Sequence, residues 1–504
     1  MYEIKGFEPR LYQKNILLTT INNNTLVCLP TGTGKTKSAI LLAIERLNKF
    51  PDSKVIICTP TKPLSYQICE EFKESSTVPP AQINLITGAL NPEERKKFWE
   101  ISKILVGTPQ TFKNDIEADR ISLSNVSLLT VDECHRSKYK FANTIVAKYY
   151  KEQSEFPRIL ALTASPGATK EKIDLICHNL FIEAVEIRSE EDEDVQSYIQ
   201  KKEIEYVMVD LPKEIINISN LLKNVYKSKL ESIKKFGTKS WLTKADLLKL
   251  QARFHSEIAR GNKAAFSAIS LVAQVLKISY ALELLETQTI NSLLKYFEKL
   301  KSESSKAAKV ILNDDNVKRA VSLTEQLAKK NFLNPKLEEL INVTKKQFEL
   351  NKDSKIIIFA NYRSTVKEIV SLLNKIRGVK AVELVGQKEG LSQKEQISII
   401  KKFENNEYNV IAGTSITEEG ISIGSLNLSI FYDHTASEIR KIQRTGRVAR
   451  IKPGKIIYLM AKKTRDEGLF WISNRKEKKM HNLLHNMKKE LENNKDKQIN
   501  LNKF

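Results

Sequence analysis

The stretch that most constrains this chain is Pro30-Thr31-Gly32-Thr33-Gly34-Lys35-Thr36, which joins a strand-like run, Thr25-Leu26-Val27-Cys28-Leu29-Pro30, to a helical pattern opening at Lys35. Glycines at such a turn let backbone N–H groups approach the β- and γ-phosphates of a nucleotide, and the helix N-terminus adds a favourable dipole. Lys35 is placed to neutralise phosphate charge and the Thr36 hydroxyl to ligate Mg²⁺, so ATP and Mg are the cofactors expected. Leu29 takes the place of the first glycine of the general pattern. A strand, glycine-rich loop and helix in this order form one unit of a parallel α/β sheet, and such a unit needs companion strands.

Those companions recur to about Val209: Lys54-Val55-Ile56-Ile57-Cys58, Lys103-Ile104-Leu105-Val106-Gly107, Val126-Ser127-Leu128-Leu129-Thr130-Val131 and Arg158-Ile159-Leu160-Ala161-Leu162-Thr163. The rhythm returns after Asn334-Pro335 with five more such runs, from Lys355-Ile356-Ile357-Ile358-Phe359 to Gly454-Lys455-Ile456-Ile457-Tyr458. Runs apolar throughout suit strands covered on both faces, so two α/β domains are expected, at 1–208 and 332–475. Between them, 209–331 shows no strand-like alternation and reads as several long helices. From Lys213 to Lys330 there are 22 Lys and Arg against 11 Asp and Glu, half of the +22 excess of the whole 504-residue chain. So basic a helical module points to an anionic partner. The remainder, 476–504, is Lys/Asn/Glu-rich and reads as a basic tail, a fraying helix with a disordered tip. Five cysteines, none in a C-x-x-C pair, argue against a zinc ribbon or disulfide framework. No uninterrupted apolar run reaches the ~18 residues of a membrane span, so no membrane partner and a cytoplasmic location, nucleoid-associated in a prokaryote, are expected.

Two further motifs carry chemistry. Val131-Asp132-Glu133-Cys134-His135 closes an apolar strand and puts two carboxylates at the carboxyl edge of the sheet, where open α/β folds bind ligands. Asp132 is suited to hold Mg²⁺, and Glu133 to orient and deprotonate an attacking water. In Gln443-Arg444-Thr445-Gly446-Arg447-Val448-Ala449-Arg450, Arg447 and Arg450 lie three apart on one helix face. The planar, always-charged arginine fork suits charge developing on a γ-phosphoryl group, where such a finger contributes ~10³–10⁵ in rate.

In this order, over about 450 residues, these elements resemble the motor of superfamily 2 helicases, which implies two RecA-like parallel-sheet domains. The resemblance makes Arg10 and Gln13 adenine readers and adds Glu419 and Gly420 to the nucleotide contacts. It makes Thr59, Pro60, Lys62, Gly107 and Thr108 holders of the nucleic-acid backbone, with Arg363, Gly386, Gln387 and Thr414 doing the same on the second domain. His135, Thr163 and Ser165 would couple nucleotide to strand, and Gln443 joins Lys35, Asp132, Glu133, Arg447 and Arg450 as catalytic.

The DECH tetrad, Asn361-Tyr362-Arg363, Glu418-Glu419-Gly420 and the helical insertion resemble the archaeal Hef and eukaryotic Fanconi anaemia M-type family; RIG-I-like receptors and Dicer share the plan. That resemblance implies an ATP-dependent helicase or translocase acting on forked or branched DNA in replication-fork repair, with the insertion gripping the fork. The alternatives are a duplex-RNA-stimulated ATPase and a clamp-associated DNA-binding scaffold that does not hydrolyse ATP. Ser422 takes the place of the family's aspartate, Thr417 that of a glycine, and Val448-Ala449 that of Thr-Gly; slower or differently coupled hydrolysis is expected. The family's nuclease domain finds no room after about Met480, so a separate nuclease is an expected partner. Finally, Gln498, Leu501 and Phe504 have the spacing of the PIP box that binds the sliding clamp PCNA, with Leu501 and Phe504 on one face of a helical turn.

Overall fold

The computed structural model describes residues 1–139, 141–198, 202–236, 242–263, 265–386, 390–414, 426–446 and 454–501, with only the backbone of 393 and of 492–501. Among these, seven parallel strands form the first sheet: β1 (Thr25–Cys28), β2 (Lys54–Cys58), β3 (Ile83–Ile86), β4 (Ile104–Gly107), β5 (Val126–Val131), β6 (Ile159–Thr163) and β7 (Ala184–Ile187), in the spatial order β3-β4-β2-β5-β6-β1-β7. Period-two alternation explains why the central strands are apolar at nearly every position. Val27, Val55, Ile57 and Val106 enter one core, and Leu26, Ile56, Cys58 and Leu105 the other, so each residue faces a helical layer. At ~1.5–3 kcal/mol for each large aliphatic side chain withdrawn from water, these two cores hold the sheet together. The covering helices are α1 (Leu11–Asn22), α2 (Lys35–Lys49), α3 (Lys62–Ser75), α4 (Pro92–Ile101), α5 (Pro109–Glu117), α6 (Ala142–Gln153), α7 (Lys170–Asn179) and the short α8 (Glu193–Gln196).

The second sheet has the order β10-β11-β9-β12-β13-β8, from β8 (Lys202–Val209), β9 (Ile356–Phe359), β10 (Ala381–Leu384), β11 (Val410–Gly413), β12 (Leu428–Phe431) and β13 (Gly454–Ala461). Here the structure corrects the boundary at 208: β8 pairs with β13 over eight residues and belongs to the second domain. Its sequence follows the first domain directly, while its partner lies some 250 residues away, a pairing that local pattern cannot reveal.

Between β8 and β9, two strands of this second sheet, the chain runs through α9 (Lys213–Lys234), α10 (Lys244–Ala259), α11 (Ala265–Thr287), α12 (Ile290–Ser302), α13 (Lys306–Asn313) and α14 (Asp315–Lys329), so the insertion is helical as expected. By length and composition, α11 is the one described helix that could cross a membrane, but over half of its apolar window is buried in this bundle. Val272, Val275, Ile278, Leu282 and Leu285 bind it to its neighbours.

The second domain is completed by α15 (Pro335–Leu350), α16 (Arg363–Leu373), α17 (Gln393–Glu404), α18 (Glu438–Thr445) and α19 (Arg465–Leu501). A second correction concerns α19: the stretch from 476, expected as a basic tail of fraying helix, continues a helix that packs on the protein. It starts on the second domain and crosses to the first, burying Met480, Leu484 and Met487 in the core beside Val185 and Ile187 of β7. Lys488 ties it to Glu186 at 2.9 Å. Its apolar stripe, spaced four and three residues, is narrow enough to be hidden among lysines.

Candidate active site

β1, β6 and β5 are adjacent in the first sheet, so the loops that leave their carboxyl ends meet at one edge. After β1, the backbone turns through Gly32 and Gly34 at φ of 82° and 80°, the left-handed region that favours glycine. A Cβ on Gly34 would also lie 2.8 Å from Gln13 Nε2. Gln13 closes on this turn from α1: its Nε2 donates to the Gly34 carbonyl at 3.3 Å while its Oε1 accepts from Arg10 N at 3.0 Å. Tyr12 OH donates to the Thr33 carbonyl, and Arg10 Nη1 donates to Tyr12 OH at 3.1 Å. Arg10 also lies over the Tyr198 ring, 4.9 Å from its centroid. The residues expected at the adenine and phosphates are thus joined in one loop-and-helix assembly. Lys35 Nζ rests 3.3 Å from the Leu29 carbonyl and 3.5 Å from that of Pro30, neutral partners that a phosphate would displace.

After β5, the chain passes through Glu133 at φ 49°, a conformation that costs a side-chain-bearing residue ~1 kcal/mol or more and is held here by the surrounding contacts. Desolvation, then the charge of Glu133, pushes the Asp132 carboxyl up to about 7, opposed by Lys35. A carboxylate in that condition gains from a cation beside it, so Asp132, with the Thr36 hydroxyl in the first turn of α2, fits a Mg²⁺ ion. Glu133 is desolvated as well, but the His135 hydrogen bond and the charges of His135 and Lys35 outweigh this and hold it below the usual carboxylate range. It is the member of the pair that favours the ionised form. His135 Nδ1 lies 3.2 Å from Glu133 Oε2 and 3.3 Å from Thr163 Oγ1. Ser165 N donates to Thr163 Oγ1 at 3.1 Å, and Ser165 Oγ contacts Met480 Sδ at 2.9 Å. The three residues expected to couple nucleotide and strand therefore form one chain of contacts from Glu133 to α19.

The second domain presents the C-terminus of α18 to this edge. A Cβ on Gly446 would overlap the Thr31 side chain, so only glycine permits this approach. Gln443 is buried on the same helix. Arg447, Arg450, Glu419 and Gly420 lie outside the described residues, as do Thr417, Ser422, Gln387, Phe504 and the side chains of Gln498 and Leu501.

Sequence reading missed a buried polar hub that joins α18 to the insertion. Arg444 Nη1 donates to the Asp433 carbonyl at 2.7 Å and Nη2 to Asn361 Oδ1 at 2.9 Å, while Asn361 N donates to Asp433 Oδ2 at 2.6 Å. From the turn between α11 and α12, Gln288 Nε2 donates to Asp433 Oδ1 at 2.8 Å, and Thr365 Oγ1 donates to Gln288 Oε1 at 2.6 Å. Tyr362 OH adds a 2.8 Å bond to Glu283 of α11. The available signal was the polar Thr287-Gln288-Thr289 between two apolar helices, but such a triplet also suits an exposed turn.

The loops expected at nucleic acid also gather. Thr59 follows β2 and Gly107 ends the adjacent strand β4, and the two are bonded, Thr59 N to the Gly107 carbonyl, at 2.9 Å. Pro60 and Lys62 continue into α3, while Thr108 occupies the N-cap position of α5, its hydroxyl 2.8 Å from that of Thr111. Thr59 and Gly107 are themselves buried, so Pro60, Lys62 and Thr108 form the accessible part. On the second domain, Arg363 opens α16, and Gly386 and Thr414 follow the adjacent strands β10 and β11.

A two-sheet motor with a phosphate loop facing an arginine-bearing helix defines a helicase-type nucleoside triphosphatase core. Residues 10–173 match the DEAD/DEAH box helicase family, 335–452 the helicase conserved C-terminal domain, and 213–331 the family described as "Putative ATP-dependent RNA helicase, helical bundle". The helicase domain of Hef from Pyrococcus furiosus, a crystal structure, superposes with a TM-score of 0.72 at 40% identity, covering 92% of this chain and 98% of that one. The chain belongs to the Hef and Fanconi anaemia M-type family of superfamily 2 helicases. It is 40% identical over 490 residues to "Putative ATP-dependent RNA helicase MJ1505" of Methanocaldococcus jannaschii, and 33% identical over 479 residues to ATP-dependent DNA helicase mph1 of Neurospora crassa. These alignments take in 96% and 90% of this chain but 61% and 41% of the relatives' own lengths.

Proposed function

We propose that this chain is an ATP-driven helicase or translocase that remodels forked or branched DNA during replication-fork repair. The observation that carries the reading is the hub of Gln288, Asp433, Asn361 and Arg444, because it fixes a strongly basic helical module to the same domain that presses Gly446 against the phosphate loop. Movement of the second domain over ATP then moves the module on the nucleic acid.

In this reading Lys35 and the loop's N–H groups hold the phosphates, Thr36 and Asp132 hold Mg²⁺, and Glu133 takes a proton from the attacking water. Bound there, Mg²⁺ would supply positive charge that neutralises the phosphates. Arg447 and Arg450, directly beyond Gly446, meet the charge that develops on the γ-phosphoryl group. Lys62, Thr108, Arg363 and Gly386, on the loops anchored by Thr59, Gly107 and Thr414, hold the tracking strand by its backbone, which carries no sequence preference. The relatives' names divide between DNA and RNA helicases, so duplex RNA is the competing substrate. A sliding clamp at Gln498, Leu501 and Phe504 and a separate nuclease complete the proposed setting.

The test is ATP-dependent release of a labelled strand from a synthetic fork and from a four-way junction, beside the matching RNA duplex. Release from DNA that requires ATP and is lost in Lys35→Ala supports the proposal; release from RNA alone would replace it with the RNA reading.

A further inference from the structure

β8 is the last strand of the second sheet, and among the described residues no strand pairs with its outer side. It is eight residues long, contains no proline and keeps regular register with β13 throughout. Natural edges are usually blunted by shortness, proline, bulges or charges, and this one lacks the first three. Lys462 N donates to the Val209 carbonyl at 2.9 Å, so the backbone polar groups of Val209 face β13. Alternation then directs those of Val207 the same way and those of Ile204, Tyr206 and Met208 toward the open edge.

The two faces beside that edge differ chemically. On one, Ile204, Tyr206 and Met208 are 48%, 53% and 36% exposed, large apolar side chains in a row. On the other, Val207 and Val209 pack into the core, and α15 runs alongside to leave a groove of about 420 Å³ whose lining includes Asp210, Glu338 and Glu339. Glu203 and Glu205 share Lys455 and Asp210 pairs with Lys462, while Glu338 and Glu339 form no ion pair among the described residues. An acidic groove is unusual on a chain of net charge +22.

We propose that the open edge of β8 docks an extended segment of a protein partner, added as a further strand, whose side chains alternate between basic and apolar. A strand laid in the plane of the sheet projects successive side chains to opposite faces: one set meets Glu338 and Glu339, the other Ile204, Tyr206 and Met208. The partner is thus read by period-two chemistry. The site lies at the opposite end of the sheet from β10 and β11, whose loops carry Gly386 and Thr414, so a docked segment leaves the strand-tracking loops uncovered.

The experiment uses the full chain, without DNA, and three fluorescein-labelled ten-residue peptides that alternate Lys/Val, Glu/Val and Lys/Ser. Fluorescence polarisation should show the Lys/Val peptide binding at least roughly tenfold more tightly than either other peptide. Hydrogen exchange should slow at the amides of Ile204, Tyr206 and Met208 when it binds. Glu338→Lys combined with Glu339→Lys should abolish binding with ATPase unchanged. Tyr206→Pro removes an outward N–H while sparing the ladder to β13, and should abolish it too. Absence of Lys/Val binding, equal binding of Glu/Val, or binding that survives both charge reversals would overturn the proposal. So would concentration-dependent dimerisation of the chain that Tyr206→Pro removes, since the edge would then serve a second copy.

Discussion

Replacing Gln288 with leucine isolates the hub from the rest of the interface between the insertion and the second motor domain. The side chain is 1% exposed, and its removal deletes the 2.8 Å bond to the Asp433 carboxyl and the 2.6 Å bond from Thr365, leaving both partners buried. A bond to a charged group contributes ~1.5–3 kcal/mol and a neutral one ~1, so docking of the α11–α12 turn should weaken by about 3 kcal/mol. Tyr362 to Glu283 and the surrounding apolar core remain, so the fold should persist. At about 3 kcal/mol, local opening rises by two orders of magnitude, and amides at the start of α12 should exchange roughly 100-fold faster. The functional assay is steady-state ATP hydrolysis with and without a DNA fork. Basal turnover should stay within about twofold of wild type while the fork-stimulated rate falls about tenfold, a loss of ~1.4 kcal/mol in coupling. Unchanged exchange in α12 would refute the energetics. Faster exchange with full fork stimulation would refute the coupling and leave the hub as packing alone.

Lys35→Ala should reduce ATP turnover below roughly a tenth of wild type while fork affinity, measured by gel shift, is unchanged, because the strand-holding loops do not use this lysine. Gly446→Ala inserts a Cβ into the Thr31 side chain and should lower kcat with little change in DNA affinity; full kcat would show that this approach is not part of the cycle. Burial pushes the Asp433 carboxyl up to about 6, opposed by Lys336. The folded chain therefore binds more protons than the unfolded chain between about pH 4 and 6, and the contribution of this group is complete below that window and lost as pH rises through it. The loss is about 3 kcal/mol. Urea unfolding of Asp433→Asn should show a flatter dependence from about pH 4 to 7 than wild type, and equal slopes would contradict the assignment.

The legible parts of the fold were those whose physics is local. Strands such as Lys54–Cys58 and Ile356–Phe359 are buried on both faces and carry the uninterrupted apolar run that this requires. The edge strands Ile83–Ile86 and Lys202–Val209 have partly exposed faces, tolerate Asn84, Glu203 and Glu205, and lose that signature. The turn at Gly32 and Gly34 was readable because a left-handed backbone, a phosphate-sized concavity and a helix start must coincide within a few residues. Gln288 and Asp433 are 145 residues apart, and neither is distinguishable from a surface polar residue until the fold brings them together. The same holds for Met480, whose contact with Ser165 spans 315 residues. The basic character of the insertion was visible as a count, but its attachment through Tyr362, Glu283 and Gln288 was not.

The central claim is that ATP hydrolysis by this chain is geared to branched DNA, and its most direct test is ATP turnover measured at one fixed salt concentration on single strands, blunt duplex, fork, four-way junction and duplex RNA. Salt must be held constant because phosphate-driven binding falls steeply with it. The account expects the fork and the four-way junction to stimulate turnover most, with single strands and blunt duplex well below them and stimulation abolished in Lys35→Ala. Greatest stimulation by duplex RNA, or turnover indifferent to every nucleic acid, would contradict it.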